Sequence, residues 1–329
     1  MKYSTNILFL AIIFMSTLIV ISSNNYINMW MGLEVNMMSF IPLMYKNKNT
    51  LSSESCMLYF LVQSFSSMMF LYSILLNPMM IKESSNSIMM TMTSIALAIK
   101  MGLPPFHYWF PQIMEKLNWN NCLILMTWQK IAPMFILSQM TSTWMIQIFM
   151  ITSTTMGAIG GLNQTSIRKI LAFSSINHMG WMIACMKYNQ NMWMVYLMLY
   201  STISYMIIKI MNYNSIYFIN QMFMNSSTTE KVIISTLMMS LGGLPPFLGF
   251  LPKWMVIQSV MASEGLFIIM MMILMSLITL FYYLRMMSSM LMINSSINKW
   301  MLVKKNNKNM NIIFLLNMLL PSILIINMF

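Results

Sequence analysis

Eleven apolar runs, each about as long as a bilayer is thick, follow one another along a chain of 329 residues. They cover about 4–22, 26–45, 55–76, 87–104, 121–140, 143–160, 170–187, 191–212, 232–260, 265–287 and 310–328. A helix of ~20 apolar residues crosses the hydrocarbon core with every backbone N–H and C=O paired inside the segment. Composition closes the other routes. Only 7% of the residues are charged and 58% are hydrophobic, whereas a soluble domain carries ~25% charged and ~45–50% apolar residues. So few solvated groups cannot cover a globular surface. This argues against a soluble enzyme, a disordered regulator and a nucleic-acid-binding domain. The expected fold class is all-α, a polytopic transmembrane helical bundle of 11 helices. It forms a single integral membrane domain over residues 1–329 that ends in a helix at about 310–328.

The charges test this layout. The net charge of +12 comes from 18 Lys and Arg against six Glu, scattered singly rather than clustered into a basic groove. With eleven spans, twelve of the basic residues fall in loops on the side of the N-terminus and two, Lys82 and Lys187, on the other. Four more, Lys100, Lys130, Lys209 and Lys253, fall inside runs. The positive-inside rule then puts the N-terminus on the positive side.

An internal repeat is visible. Gly102-Leu103-Pro104-Pro105-Phe106 recurs 141 residues later as Gly243-Leu244-Pro245-Pro246-Phe247. Consecutive prolines remove two backbone donors and stop a helix, so the fourth and ninth runs are expected to be broken. The copies fall on the fourth and ninth runs, an odd step of five along the chain, so the two broken helices are expected to run in opposite directions. The result is an inverted repeat of five-helix units, residues of about 26–140 and 143–287. Paired discontinuous helices of this kind mark substrate or ion sites in transporters.

Few ionisable groups lie within the runs. Glu34, Lys130 and His178 are mid-run, Lys100 precedes the first break and Lys253 follows the second. Each of the four Glu or Lys costs roughly 2.5–3.5 kcal/mol to insert, so their retention points to pairing or a role. Lysine suits proton handling, because burial favours a neutral amine and a neighbouring carboxylate favours the ammonium. Glu34 reads as the only buried carboxylate and the expected partner of one buried lysine. Lys209, near a run end, is expected to snorkel to the interface. His178 is a proton relay or a hydrogen-bonded core residue. His107 sits just past the first break, at the expected interface, and is a second possible relay. The adjoining Tyr108, Trp109 and Phe110 read as an interfacial anchor. Ser and Thr are frequent in the runs and could hold water chains.

Other signals are negative. Cys56, Cys122 and Cys185 are far apart and lack metal-ligand spacing. Glycine-rich nucleotide fingerprints do not occur, so no cofactor or metal site is expected in this chain. Methionine is 49 of 329 residues, more than packing requires. The excess fits an AT-rich mitochondrial genome that reads ATA as Met, and the positive side would then be the matrix.

At this point a family resemblance emerges. It is carried by Met31-Gly32-Leu33-Glu34-Val35-Asn36, by Lys100 through His107 and by Thr127-Trp128-Gln129-Lys130-Ile131-Ala132-Pro133. Further blocks are Gly157 through Thr165, Arg168 through Ile176, and Gly242 through Phe247 with Lys253-Trp254. From about residue 26 to 290 the chain resembles the subunit 2 family of mitochondrial NADH:ubiquinone oxidoreductase, respiratory complex I. That family belongs to the antiporter-like subunits similar to Mrp-type cation/proton antiporters. The Met-rich composition looks like an insect or other arthropod copy.

The resemblance implies a multi-pass protein of the mitochondrial inner membrane with its N-terminus in the matrix. It implies Glu34 paired with Lys100, Lys130 as central proton carrier and Lys253 on the exit side. It implies no redox chemistry here. NADH, FMN, iron–sulfur clusters and ubiquinone would be handled by partner subunits, whose electron transfer drives proton translocation. The implied partners are other membrane subunits, including neighbouring antiporter-like ones, and the lipid bilayer, with no nucleic acid. Two further readings compete: an autonomous cation/proton antiporter of the Mrp type, and a structural spacer of the complex.

Overall fold

The computed structural model describes residues 2–45, 49–76, 83–140, 144–189, 192–222, 228–261 and 265–292, with Phe314 and Asn317. Apart from those two residues, the expected last run at 310–328 lies outside the described residues, as does the basic stretch 299–308. The described residues fold as α-helices with a single isolated β-bridge, Ser166 to Phe218. They divide into two compact units, Met1–Ser153 and Thr154–Phe329.

The first unit holds α1 (Lys2–Ser22), α2 (Tyr26–Met44), α3 (Thr50–Leu76), α4 (Glu83–Met101), α5 (Trp109–Lys116), α6 (Trp119–Met126) and α7 (Trp128–Ser138). The division falls inside α8 (Trp144–Gly161). α1 lies against α2, where a Cβ added at Gly32 would come 2.5 Å from Val20 Cγ2. Such close backbone approach is how helices associate where water supplies no driving force. α7 packs on α1, α2 and α4, with Phe14 edge-on to Trp128 at 4.3 Å.

The second unit is built around α9 (Ile167–Tyr188), in which every residue from Ile170 to Met186 is buried. α10 (Met192–Asn214), α12 (Phe250–Met261) and α13 (Leu266–Met292) pack against it. α11 (Thr228–Gly242) lies on α13 and α10.

Four of the described helices are long and apolar enough to cross a membrane unaided: Ser4–Ser22, Thr50–Leu76, Met192–Asn214 and Leu266–Ser288. The others are broken, shorter or more polar. The fifth run, read as one helix over 121–140, is two, α6 and α7, interrupted at Thr127. The loop after the first break folds as α5, a helix the apolar pattern did not reveal. Pro111 is tolerated there because it stands in the first turn, where N–H groups have no intrahelical acceptor.

Both Gly-Leu-Pro-Pro-Phe copies interrupt helices, and their hydrogen bonds match. Gly102 N–H donates to Ile99 O and Leu103 N–H to Ala98 O, at 3.2 and 2.9 Å. Gly243 N–H donates to Ser240 O and Leu244 N–H to Met239 O, at 3.0 and 3.3 Å. This is the Schellman ending, which needs a left-handed residue just past the helix. Gly102 and Gly243 supply it with φ of 69° and 83°. Each ending caps two of the last four carbonyls and leaves the final two, Lys100 and Met101 in α4 and Leu241 and Gly242 in α11, to other donors.

Candidate functional site

In the first unit, the end of α4 and the start of α7 both line one small cavity. Lys100 and Lys130 both line it, with Asn36, Tyr59, Gln63 and Gln129 among the other residues of its wall. Lys100 is 6% exposed and Lys130 3%. Neutral polar side chains connect parts of the wall. Gln129 Nε2 donates to Asn36 Oδ1 at 3.0 Å, Tyr59 Oη donates to Gln129 Oε1 at 3.5 Å, and Gln63 Nε2 donates to the Lys100 carbonyl at 3.0 Å. Trp109 and Phe110 also line the cavity, and Lys130 Nζ lies 5.1 Å from the Phe110 ring centre. A small space with several hydrogen-bonding groups in its wall is the kind that holds water.

Glu34, on α2, is half-buried and does not line the cavity. Its Oε1 is buried without a hydrogen-bond partner among the described residues. Glu34 and Lys100 are not joined by an ion pair within 4.0 Å, whereas Lys116 and Glu54 are.

Helix ends separate the lysines electrostatically. Lys100 is in the last turn of α4, the end whose dipole favours a cation. Lys130 stands near the start of α7, where the dipole opposes one, while Lys253, near the start of α12, faces the C-terminal end of α11. In the second unit Lys253 is 5% exposed. Its Nζ donates to the carbonyl of Gly242 at 2.7 Å and lies 5.8 Å from the Trp181 ring centre. His178, buried on α9, shares a 2.8 Å hydrogen bond between Nδ1 and Tyr196 Oη, and its ring centre is 4.9 Å from that of Tyr200.

Several expectations need correction. His107 is buried inside the protein, stacked on Tyr108 with ring centres 4.4 Å apart. Of the supposed aromatic anchor only Tyr108 faces outward, at 70% exposure, while Trp109 and Phe110 are buried where α5 starts. Glu34 is not the only buried carboxylate. Glu230, 4% exposed in the first turn of α11, accepts from Asn214 Nδ2 at 3.0 Å. Lys209 is exposed, its Nζ 5.6 Å from the Tyr205 ring centre. Buried serines such as Ser66, Ser73, Ser94 and Ser174 donate to the carbonyl three residues back in their own helices. Sequence reasoning gave no role to Asn36, Tyr59, Gln63 or Gln129. Asn36 and Gln129 stand in blocks that carry the family resemblance, while Tyr59 and Gln63 had no signal but polarity inside an apolar run.

Residues 23–279 match the family described as NADH:quinone oxidoreductase/Mrp antiporter, transmembrane. NADH-ubiquinone oxidoreductase chain 2 of Anopheles gambiae is 45% identical over 325 residues, 96% of this chain and 94% of that one. The protein of the same name from Mus musculus is 39% identical over 264 residues, 77% and 76% of the two chains. Among solved structures, a chain of respiratory complex I from Thermus thermophilus superposes with a TM-score of 0.80 at 19% identity, covering 87% of this chain and 70% of that one. A chain of the Mrp complex from Dietzia sp. superposes with a TM-score of 0.77 at 15% identity, covering 85% and 59%. At such identities these two likenesses speak for the fold alone.

Proposed function

The chain belongs to the NADH:quinone oxidoreductase/Mrp antiporter family, and on that premise we propose that it is a core membrane-arm subunit of NADH:ubiquinone oxidoreductase. It carries proton translocation across the mitochondrial inner membrane, with the N-terminus in the matrix. Electron transfer from NADH to ubiquinone in partner subunits supplies the drive, and NADH, FMN, iron–sulfur clusters and ubiquinone are bound there. The membrane contacts are with lipid and with neighbouring antiporter-like subunits. The observation that carries the reading is the polar cavity shared by Lys100 and Lys130. Two lysines buried on one space that can hold water form a pair of stations between which a proton can pass.

The route runs from Glu34 and Lys100 through Lys130 to Lys253, with His178 and His107 as possible relays. While the Glu34 carboxylate acts on Lys100, that lysine keeps its proton. Neutralising Glu34 or moving it away releases the proton towards Lys130. Carrying one charge across the membrane costs about 2.3 kcal/mol per 100 mV, which redox-driven rearrangement in the partner subunits supplies. The fold is eleven spans containing an inverted five-helix repeat, residues of about 26–140 and 143–287. The matching Schellman endings of α4 and α11 support the repeat.

Isolation of the chain from mitochondrial membranes tests this function. The chain should co-isolate with NADH:ubiquinone oxidoreductase activity, and Glu34→Gln should reduce proton pumping by the isolated assembly. Isolation as a lone protein that exchanges cations for protons in vesicles would overturn the proposal in favour of an autonomous antiporter.

A further inference from the structure

The two broken helices end in the same backbone motif, but their leftover carbonyls are capped by different chemistry. At the end of α11 the donor to Gly242 O is the Lys253 ammonium. At the end of α4 the donor to Lys100 O is the Gln63 amide, from the middle of α3. An amide does not titrate in the range where a lysine and its partners exchange protons. The cap on α4 therefore stays in place whatever the charge on Lys100, whereas the cap on α11 is itself a candidate carrier.

We propose that Gln63 is the positioning residue of Lys100. It fixes the last turn of α4 against α3, so that the Lys100 side chain is held at the cavity facing Lys130 and is relieved of capping its own helix. Three observations carry this. Gln63 is buried and its Nε2 is 3.0 Å from the Lys100 carbonyl. That carbonyl is one of the two that the Schellman ending leaves over. Gln63 also lines the cavity shared by Lys100 and Lys130, so one side chain touches both the backbone that sets the lysine and the space that receives the proton. The inference rests on the reading of Lys100 as a proton carrier.

The test uses the assembled complex and three substitutions, Gln63→Leu, Gln63→Glu and Lys100→Ala, each read as protons moved per electron across a range of pH. Gln63→Leu keeps the bulk and removes the donor, so the ratio should fall. Gln63→Glu keeps the reach but donates only while the introduced carboxyl is protonated. Its ratio should therefore approach the wild-type value at acid pH and fall as pH rises, in a profile the wild type lacks. A residue that merely packs α3 on α4 would change the amount of assembled complex and leave the pH profile alone. Wild-type ratio and pH profile in both Gln63 variants, with Lys100→Ala impaired, would overturn the positioning role and leave the proton-carrier reading standing. A wild-type ratio in Lys100→Ala would overturn both. If Gln63→Leu fails to assemble, the pH profile of Gln63→Glu decides alone.

Discussion

Lys253 Nζ lies 2.7 Å from the carbonyl of Gly242, so the lysine that opens α12 caps the end of α11. A cation there meets both a leftover carbonyl and the negative end of a helix dipole. The next residue, Gly243, makes this possible. A Cβ at that position would come 2.7 Å from Lys253 Cδ and 2.9 Å from its Nζ.

Gly243→Ala should therefore act through the lysine. Holding a non-glycine residue in the left-handed region costs about 1–2 kcal/mol, and Gly102→Ala meets the same penalty at φ 69°. The new methyl at Gly102 would face Phe110 rather than a lysine. Both substitutions should lower the melting temperature of the assembled complex, and only Gly243→Ala should also displace Lys253 and reduce protons moved per electron. Equal ratios in the two variants would show that Lys253 does not need its carbonyl.

The His178–Tyr196 hydrogen bond gives a second prediction. Tyr196→Phe removes the hydroxyl and leaves the ring, at a stability loss of about 0.6–2 kcal/mol for a bond inside a membrane bundle. Thermal unfolding of the assembled complex measures this loss. If His178 relays protons, His178→Gln should lower pumping by more than its stability loss explains. A structural His178 would give a stability loss with an unchanged ratio.

Packing of α1 on α2 gives a third. Gly32→Ala drives a methyl into Val20, and overpacking costs about 1–3 kcal/mol. The amount of assembled complex should fall, and the double change Gly32→Ala with Val20→Ala should restore it. No restoration would place the constraint at the Ser16 carbonyl, 3.1 Å from the same added Cβ.

Legibility followed the physics of each residue. A lysine in an apolar run is conspicuous because the bilayer penalises it, so Lys100, Lys130 and Lys253 stood out without any structure. The helix breaks at Pro104-Pro105 and Pro245-Pro246 stood out because proline lacks the donor a helix needs. Thr127, where α6 gives way to α7, has neither mark, and that interruption was read through. Gln63 and Tyr59 were silent because a neutral polar residue costs little wherever it can find a partner. Which helix faces meet is decided by packing, as where Gln63 reaches a carbonyl 37 residues away. Glu230 was missed because it stands beside Lys231 at the edge of a run and looked like loop. The same silence hid the contact of Lys253 with Gly242, which depends on the turn folding back after the second break.

Lys130→Ala tests the central claim most directly, with Lys209→Ala as its control. Lys130 is the buried lysine opposite Lys100 on the polar cavity, while Lys209 is exposed on α10. The measurement is protons translocated per electron passed from NADH to ubiquinone, in assembled complex carrying each change. The account predicts a lower ratio for Lys130→Ala, with slower electron transfer where coupling is tight, and wild-type values for Lys209→Ala. An unaltered ratio and rate for Lys130→Ala, with assembly intact, would contradict it and leave the chain a structural spacer of the complex.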